Sequence, residues 1–400
     1  MQQLFWYVAG SCCRPSKKKW QDSSVGVGEH TYGILHDHGY DPRATAELDP
    51  LGLDDFFTGG EFHAINSSEI DPAEARKRIG DVAMRVGHMI VRHRLIDPTI
   101  PELNYAAIRD ADMVLGSALL HGHRPVGRGG FMPGLGDLPH ALVRLGAATQ
   151  GVPRGTFYTY TDMNPGDRLR RFTNLDGEEV FIGALRDSSL KLGAALLTLC
   201  HADAEDPDQT LAALQLTQEG MSATVQSMVT VRRNQELGKK FGAYIQPFFR
   251  DTLIGFRRHF APGGSQLPSS ALTYILEGRD EPGQAGERAR ALHAGTYRYL
   301  PRVFRDAVDT WERAHGDASL RTLLHEQGVP LDDPRQVAMH GIRDLHTKFR
   351  TVHLATAVDS FNQRPDNARG SGGGTPGELN ELTNDARLRR GIPRQRTADV

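Results

Sequence analysis

Apolar residues recur along this chain at helical spacing, and the run from Asp333 to Phe361 shows it most clearly. Asp333 offers a side-chain cap, and Pro334 has the fixed φ that suits a first helical turn. From there Ala338, Ile342, Leu345, Phe349, Val352 and Thr356 recur three and four residues apart, which predicts one inward stripe on a long helix. Asp71 and Pro72 open another helix, carried by Ala73, Ile79, Val82, Met84, Val86, Met89 and Ile90. Further helices are predicted over Tyr105 to Leu120, Pro139 to Ala148, Glu178 to Leu199, Asp208 to Phe248 (two helices), Ser269 to Glu277, Arg288 to His315, Leu320 to Gln327 and Pro376 to Leu388. Phe157 to Thr161 reads instead as an aromatic, β-prone segment, and no convincing period-two run appears. The fold class expected is all-α, with a small N-terminal domain and a larger helical domain.

Turn chemistry divides the chain. Residues 1–45 are polar and glycine-rich with a lysine run at Lys17, Lys18 and Lys19, so a disordered or extended leader is expected there. The turn-rich stretch from Asn164, Pro165 and Gly166 to Gly177 is the expected boundary between a small domain at 46–165 and a larger one at 166–388. Residues 389–400 read as a flexible basic tail.

Charge and composition narrow the partners. With 47 basic and 49 acidic side chains the net charge is close to zero, which argues against nucleic acid or an anionic membrane surface. The opening MQQLFWYVAGSCC has an apolar run of only about eight residues, too short to span a bilayer, and no basic residue precedes it. Cys12, Cys13 and Cys200 allow neither a disulfide framework nor a cysteine metal site, so a reducing cytoplasm is expected. No GxSxG, HExxH, CxxC, Walker or strand-borne GxGxxG pattern occurs, which removes most hydrolase, zinc and nucleotide assignments.

What chemistry remains centres on His353, which lies on the stripe of the longest helix. Such a histidine is either a satisfied core residue or a ligand, and an imidazole facing a cavity is a ready axial ligand for haem iron. Arg350, one turn earlier, suits a haem propionate or else a solvated helix surface. The glycine-rich segment NQRPDNARGSGGGTPGEL that follows is a linker or a backbone lid over a ligand. His346 and His340 are alternative ligands on the same helix. His121 and His123 form a His-x-His pair, read as a helix terminus carrying cationic residues in preference to a metal site.

Five stretches in order carry a family resemblance. FRTVHL followed by GSGGGTPGEL resembles the proximal-ligand helix and loop of the indoleamine 2,3-dioxygenase superfamily of haem proteins. PGGSQLPSSALTYILEG, from Pro262 to Gly278, and TYRYLPRVFRDAV, from Thr296 to Val308, resemble two further family segments. AAIRDADMVLGSALLHGHRP and TYTDMNP look most like the branch that rearranges a chlorinated tryptophan. The resemblance implies haem b with His353 as proximal iron ligand, Arg350 near a propionate and Ser265 beside the cofactor. It implies a small indole-like or other aromatic substrate, with dioxygen or peroxide, held near Phe181, Ala184, Phe249, Arg257, Phe361, Gly370, Ser371 and Gly372. No protein side chain is implied as acid or base, and a homodimer is left open. Two departures stand out: Ile254 where the family has a substrate-pairing arginine, and Phe361 where that branch has a tyrosine. Arg257 or Arg258 would have to replace the missing charge, or the substrate lacks a carboxylate there.

Overall fold

The computed structural model describes residues 27–93, 95–127, 130–263, 266–362 and 375–389. Within them the chain is mostly helical, as the apolar spacing predicts. It begins with the short helices α1 (Glu29–Asp37), α2 (Pro42–Ala46), α3 (Asp54–Thr58) and α4 (Glu61–Asn66). Then come α5 (Pro72–Arg92), α6 (Pro101–Leu120), α7 (Leu138–Ala148) and α8 (Phe157–Tyr160). The Asp71 carboxylate accepts from the amides of Ala73 and Glu74 at 3.0 and 2.9 Å, so α5 starts where its cap and proline say it should.

The second half is built on two long neighbours, α9 (Asp176–His201) and α10 (Pro207–Arg233). A short α11 (Gln235–Lys240) runs into a π-helical turn at Phe241–Ile245 and a 3₁₀ turn at Gln246–Phe248. A small antiparallel hairpin follows, β1 (Thr252–Ile254) against β2 (Arg257–His259), with Thr252 opposite His259. Its two-residue turn places Gly255 at φ +57° and Phe256 at φ +70°. After it come α12 (Pro268–Thr273), a π-helical turn at Tyr274–Gly278, α13 (Gly283–Tyr297), α14 (Arg302–His315), α15 (Leu320–Glu326), α16 (Pro334–Asn362) and α17 (Pro376–Arg389).

The interior forms two apolar clusters. One gathers residues from Leu51 through Leu145 with Phe172, Phe248, Phe249 and Ile254. The other joins α1 to residues of α9, α10, α12, α14 and α16. Phe181 packs against both. Residues 161–165, where the turn-rich stretch begins, are buried, with Met163 in one cluster and Phe172, further along, in the other. There Arg170 and Arg109 both reach Asp110 at 2.7 Å, while Arg109 also donates to the carbonyls of Leu48 and Met163. All three charged side chains are out of water, so each depends on the others for its acceptors or donors.

Three expectations need correction. The expected leader at 1–45 is helical from Glu29, because Tyr32, Leu35 and Tyr40 bury themselves in the second of these clusters; residues 1–26 lie outside the described residues. Tyr40 also donates to Asp162 at 3.1 Å and its ring meets Phe304 at 4.8 Å. Phe157–Tyr160 is a helical turn, not a strand: Thr156 and Thr159 form a reciprocal capping box. The run from Arg288 to His315 divides at Pro301, whose φ of −50° instead starts α14. Leu35, fully buried, tests the first correction. Leu35→Ala is expected to lower unfolding free energy by about 2–5 kcal/mol, measured by urea denaturation, whereas a loose leader would leave it unchanged.

Candidate ligand site on the longest helix

α16 carries its functional residues on one side because they are spaced three, four and seven apart: His346, Phe349, Arg350 and His353. Asp333 accepts from the Arg335 amide at 2.8 Å and so fixes the start of the helix. The helix packs against α10, α11, α17 and the π-helical turn at Phe241–Ile245. Its Ser360 hydroxyl reaches the buried Gln246 side chain at 3.0 Å, tying the far end to the turns beyond α11.

The rings form a ladder. Phe349 lies between the two imidazoles, 6.4 Å from His346 at 22° and 5.5 Å from His353 at 10°, centroid to centroid. The Arg350 guanidinium carbon is 5.4 Å from the Phe349 ring centre, within cation–π range. The His353 ring forms no hydrogen bond among the described residues. Burial, with help from the Arg350 charge, pulls its pKa down to about 4, so the imidazole is neutral at ordinary pH. His346 is held well below its ordinary value by burial and then by Arg350 and Arg389.

Around Arg350 the other arginines are paired. Arg288 donates to Asp385 at 2.6 Å, Arg389 to Glu281 at 2.6 Å, and Arg343 to Glu277. Arg350, only 7% exposed, forms no ion pair among the described residues. Burial and then the nearby Arg389 charge push its pKa down to about 10, against the weaker pull of Asp385. The site thus has a neutral ring nitrogen with a free lone pair and a buried cation whose charge is not cancelled. Those features fit an iron-bound macrocycle carrying carboxylates, through an axial nitrogen and an anion partner.

The other expected site residues are distributed unevenly. Phe181 and Ala184 sit half-buried on α9; the Phe181 ring meets Phe241 at 5.0 Å, and Phe241 belongs to the turn that packs on α16. The Ala184 carbonyl accepts from Ser227. Phe249 is instead locked among core aromatics, 5.0 Å from Tyr160 and 5.6 Å from Phe172. Arg257 is exposed beside the hairpin turn, and its strand partner Ile254 is fully buried. Phe361 lies in the last turn of α16. Ser265, Gly370, Ser371 and Gly372 lie outside the described residues, as does most of the glycine-rich segment. His123 lies 3.1 Å from the carbonyls of both Pro133 and Arg76, and His121 3.4 Å from Asn66, so this pair is engaged within the fold.

Sequence reasoning treated His346 only as a substitute ligand. Its bond to Arg350, from the guanidinium Nε to the ring Nε2 at 3.1 Å, went unforeseen, although their four-residue spacing was a usable signal. No protein-family model matches this chain.

Because the folded pKa of His353 lies below the unfolded value of about 6.5, its contribution to stability is fully present above pH 6.5. It is lost as pH falls towards 4. In ligand-free protein the His353 ring nitrogens are expected to titrate near pH 4 by long-range ¹H–¹⁵N correlation; titration near 6.5 would contradict the burial argument.

Proposed function

We propose that this chain is a haem b-dependent oxygenase acting on an indole- or tryptophan-derived aromatic substrate in secondary metabolism. It resembles monodechloroaminopyrrolnitrin synthase of the indoleamine 2,3-dioxygenase superfamily. The observation that carries the reading is the pair on α16: a neutral imidazole at 353 without a hydrogen bond among the described residues and, three residues before it, a buried guanidinium without a carboxylate partner among them. His353 would ligate the iron and Arg350 would pair with a propionate. Haem, when bound, supplies the activation of dioxygen or peroxide, chemistry that these side chains do not provide themselves.

The chain's own contribution is binding, orientation and exclusion of water. Phe181, which packs against both apolar clusters, and Phe241, tilted 48° to it at 5.0 Å, offer aromatic surface to a planar substrate. Ala184 has no proton to give, so proton handling falls to substrate or water. Ile254 is sealed in the core and Arg257 faces solvent, which favours a substrate without a carboxylate to be clamped at that point. The same two residues, Ile254 and Ala184, also favour a second reading, a haem or aromatic-ligand binding protein that performs no turnover. Tyrosine-type ring hydroxylation with peroxide is the nearest catalytic alternative and uses the same cofactor-holding residues.

Reconstitution with haem tests the reading. The wild-type protein is expected to give a Soret band that shifts with carbon monoxide after reduction and with candidate indoles. His353→Ala should lose the axial-ligand signature, and Arg350→Ala should weaken haem binding by about tenfold, the scale of one charge-assisted bond. A wild-type protein with no Soret band overturns the proposal. Substrate-induced spectral change with no oxygenated product by mass spectrometry selects the binding protein.

A further inference from the structure

Arg350 is held from behind by an uncharged partner. Its Nε–H donates to the Nε2 of His346 at 3.1 Å, and both side chains are 7% exposed. To accept there, the imidazole must be neutral with its proton on Nδ1. Burial and the adjacent guanidinium favour that state. A carboxylate in place of the ring would hold the guanidinium as firmly but would cancel its charge. A neutral imidazole fixes the direction of the fork and leaves the charge for something else.

The surroundings enforce this. The carboxylates of Glu277, Glu281 and Asp385 already serve Arg343, Arg389 and Arg288. Neither Nη of Arg350 forms a hydrogen bond among the described residues, so none of these occupies the edge of the fork that matches a carboxylate. The Arg350 carbonyl receives the Thr383 hydroxyl of α17 at 3.4 Å, and its guanidinium lies over Phe349, which separates the two imidazoles.

We infer that His346 is a positioning residue: it aligns Arg350 without neutralising it, so that the free guanidinium edge is presented to a carboxylate of the ligand at His353. This rests on the haem reading for the identity of the ligand, though not for the alignment itself.

Two variants separate the roles. Gln at 346 keeps an acceptor; Leu has similar bulk and none. With ¹⁵N-labelled arginine and histidine, the ligand-free wild type is expected to show a coupling across the N–H···N bond between Arg350 and His346. The Arg350 Nε–H should be slow to exchange in wild type and in His346→Gln, and fast in His346→Leu; loss of the signal in Arg350→Lys assigns it. Titrations then compare haem with its dimethyl ester, which lacks the carboxylates. His346→Leu should weaken haem binding by about tenfold and leave the ester unchanged, with His346→Gln within about twofold of wild type. Absence of the coupling together with fast exchange in wild type overturns the alignment. Equal weakening of haem and ester by His346→Leu overturns it too, since that marks a merely structural role. A wild type that shows the coupling but binds neither porphyrin overturns the haem reading while the alignment stands.

Discussion

A guanidinium taken out of water calls for acceptors or opposite charge, and several contacts between distant parts of this chain are built on that demand. Arg109 and Arg170 share Asp110 where α2, α3 and α6 meet the buried turn near Asn164. Arg154 meets Asp112 at 3.3 Å and the Arg250 carbonyl at 2.9 Å, holding the hairpin region to α6. Arg288, Arg343 and Arg389 bind Asp385 of α17, Glu277 of the π-helical turn at Tyr274–Gly278 and Glu281 just before α13. Such pairs add little net stability over apolar packing, but removing one partner leaves an uncompensated buried charge at a cost of about 3–5 kcal/mol. They therefore act most strongly on register, by penalising any packing that separates them.

Arg350 differs from these pairs, and the difference gives its surroundings their character. Its nearest partner is an imidazole, so a positive charge persists inside the fold beside two rings that burial keeps neutral. Each member sustains the others: the cation discourages protonation of His346 and His353, and the neutral His346 leaves the cation uncompensated. An uncompensated buried cation of this kind is better satisfied by an anionic group than by water or a neutral partner.

Irregular backbone also shapes the surroundings of α16. The π-helical turn at Phe241–Ile245 continues directly from α11, and its Phe241 ring meets Phe181 while the turn packs on α16. Insertions of this kind re-aim side chains at the expense of regular hydrogen bonding, and they cluster at functional positions. A second π-helical turn, Tyr274–Gly278, carries Glu277, the acceptor for Arg343.

By itself the sequence determined the long helices and their starts: Asp71 with Pro72, and Asp333 with Pro334, act on residues two or three positions away, and apolar spacing is a property of consecutive residues. It also determined that His346, Phe349, Arg350 and His353 share one side of α16. Only the tertiary structure decided what lies opposite. α1 folds because Leu35 and Tyr40 find α9 and α14 far along the chain, and the three-residue strands of the hairpin are too short to show a period. Whether Arg350 faces a carboxylate, an imidazole or water depends on where α17, the turn at Tyr274–Gly278 and the short segment after it place Asp385, Glu277 and Glu281, groups that lie 35 to 73 residues away from it in sequence. Local spacing cannot encode that competition for acceptors, since burial and pairing arise only when distant elements close over one another.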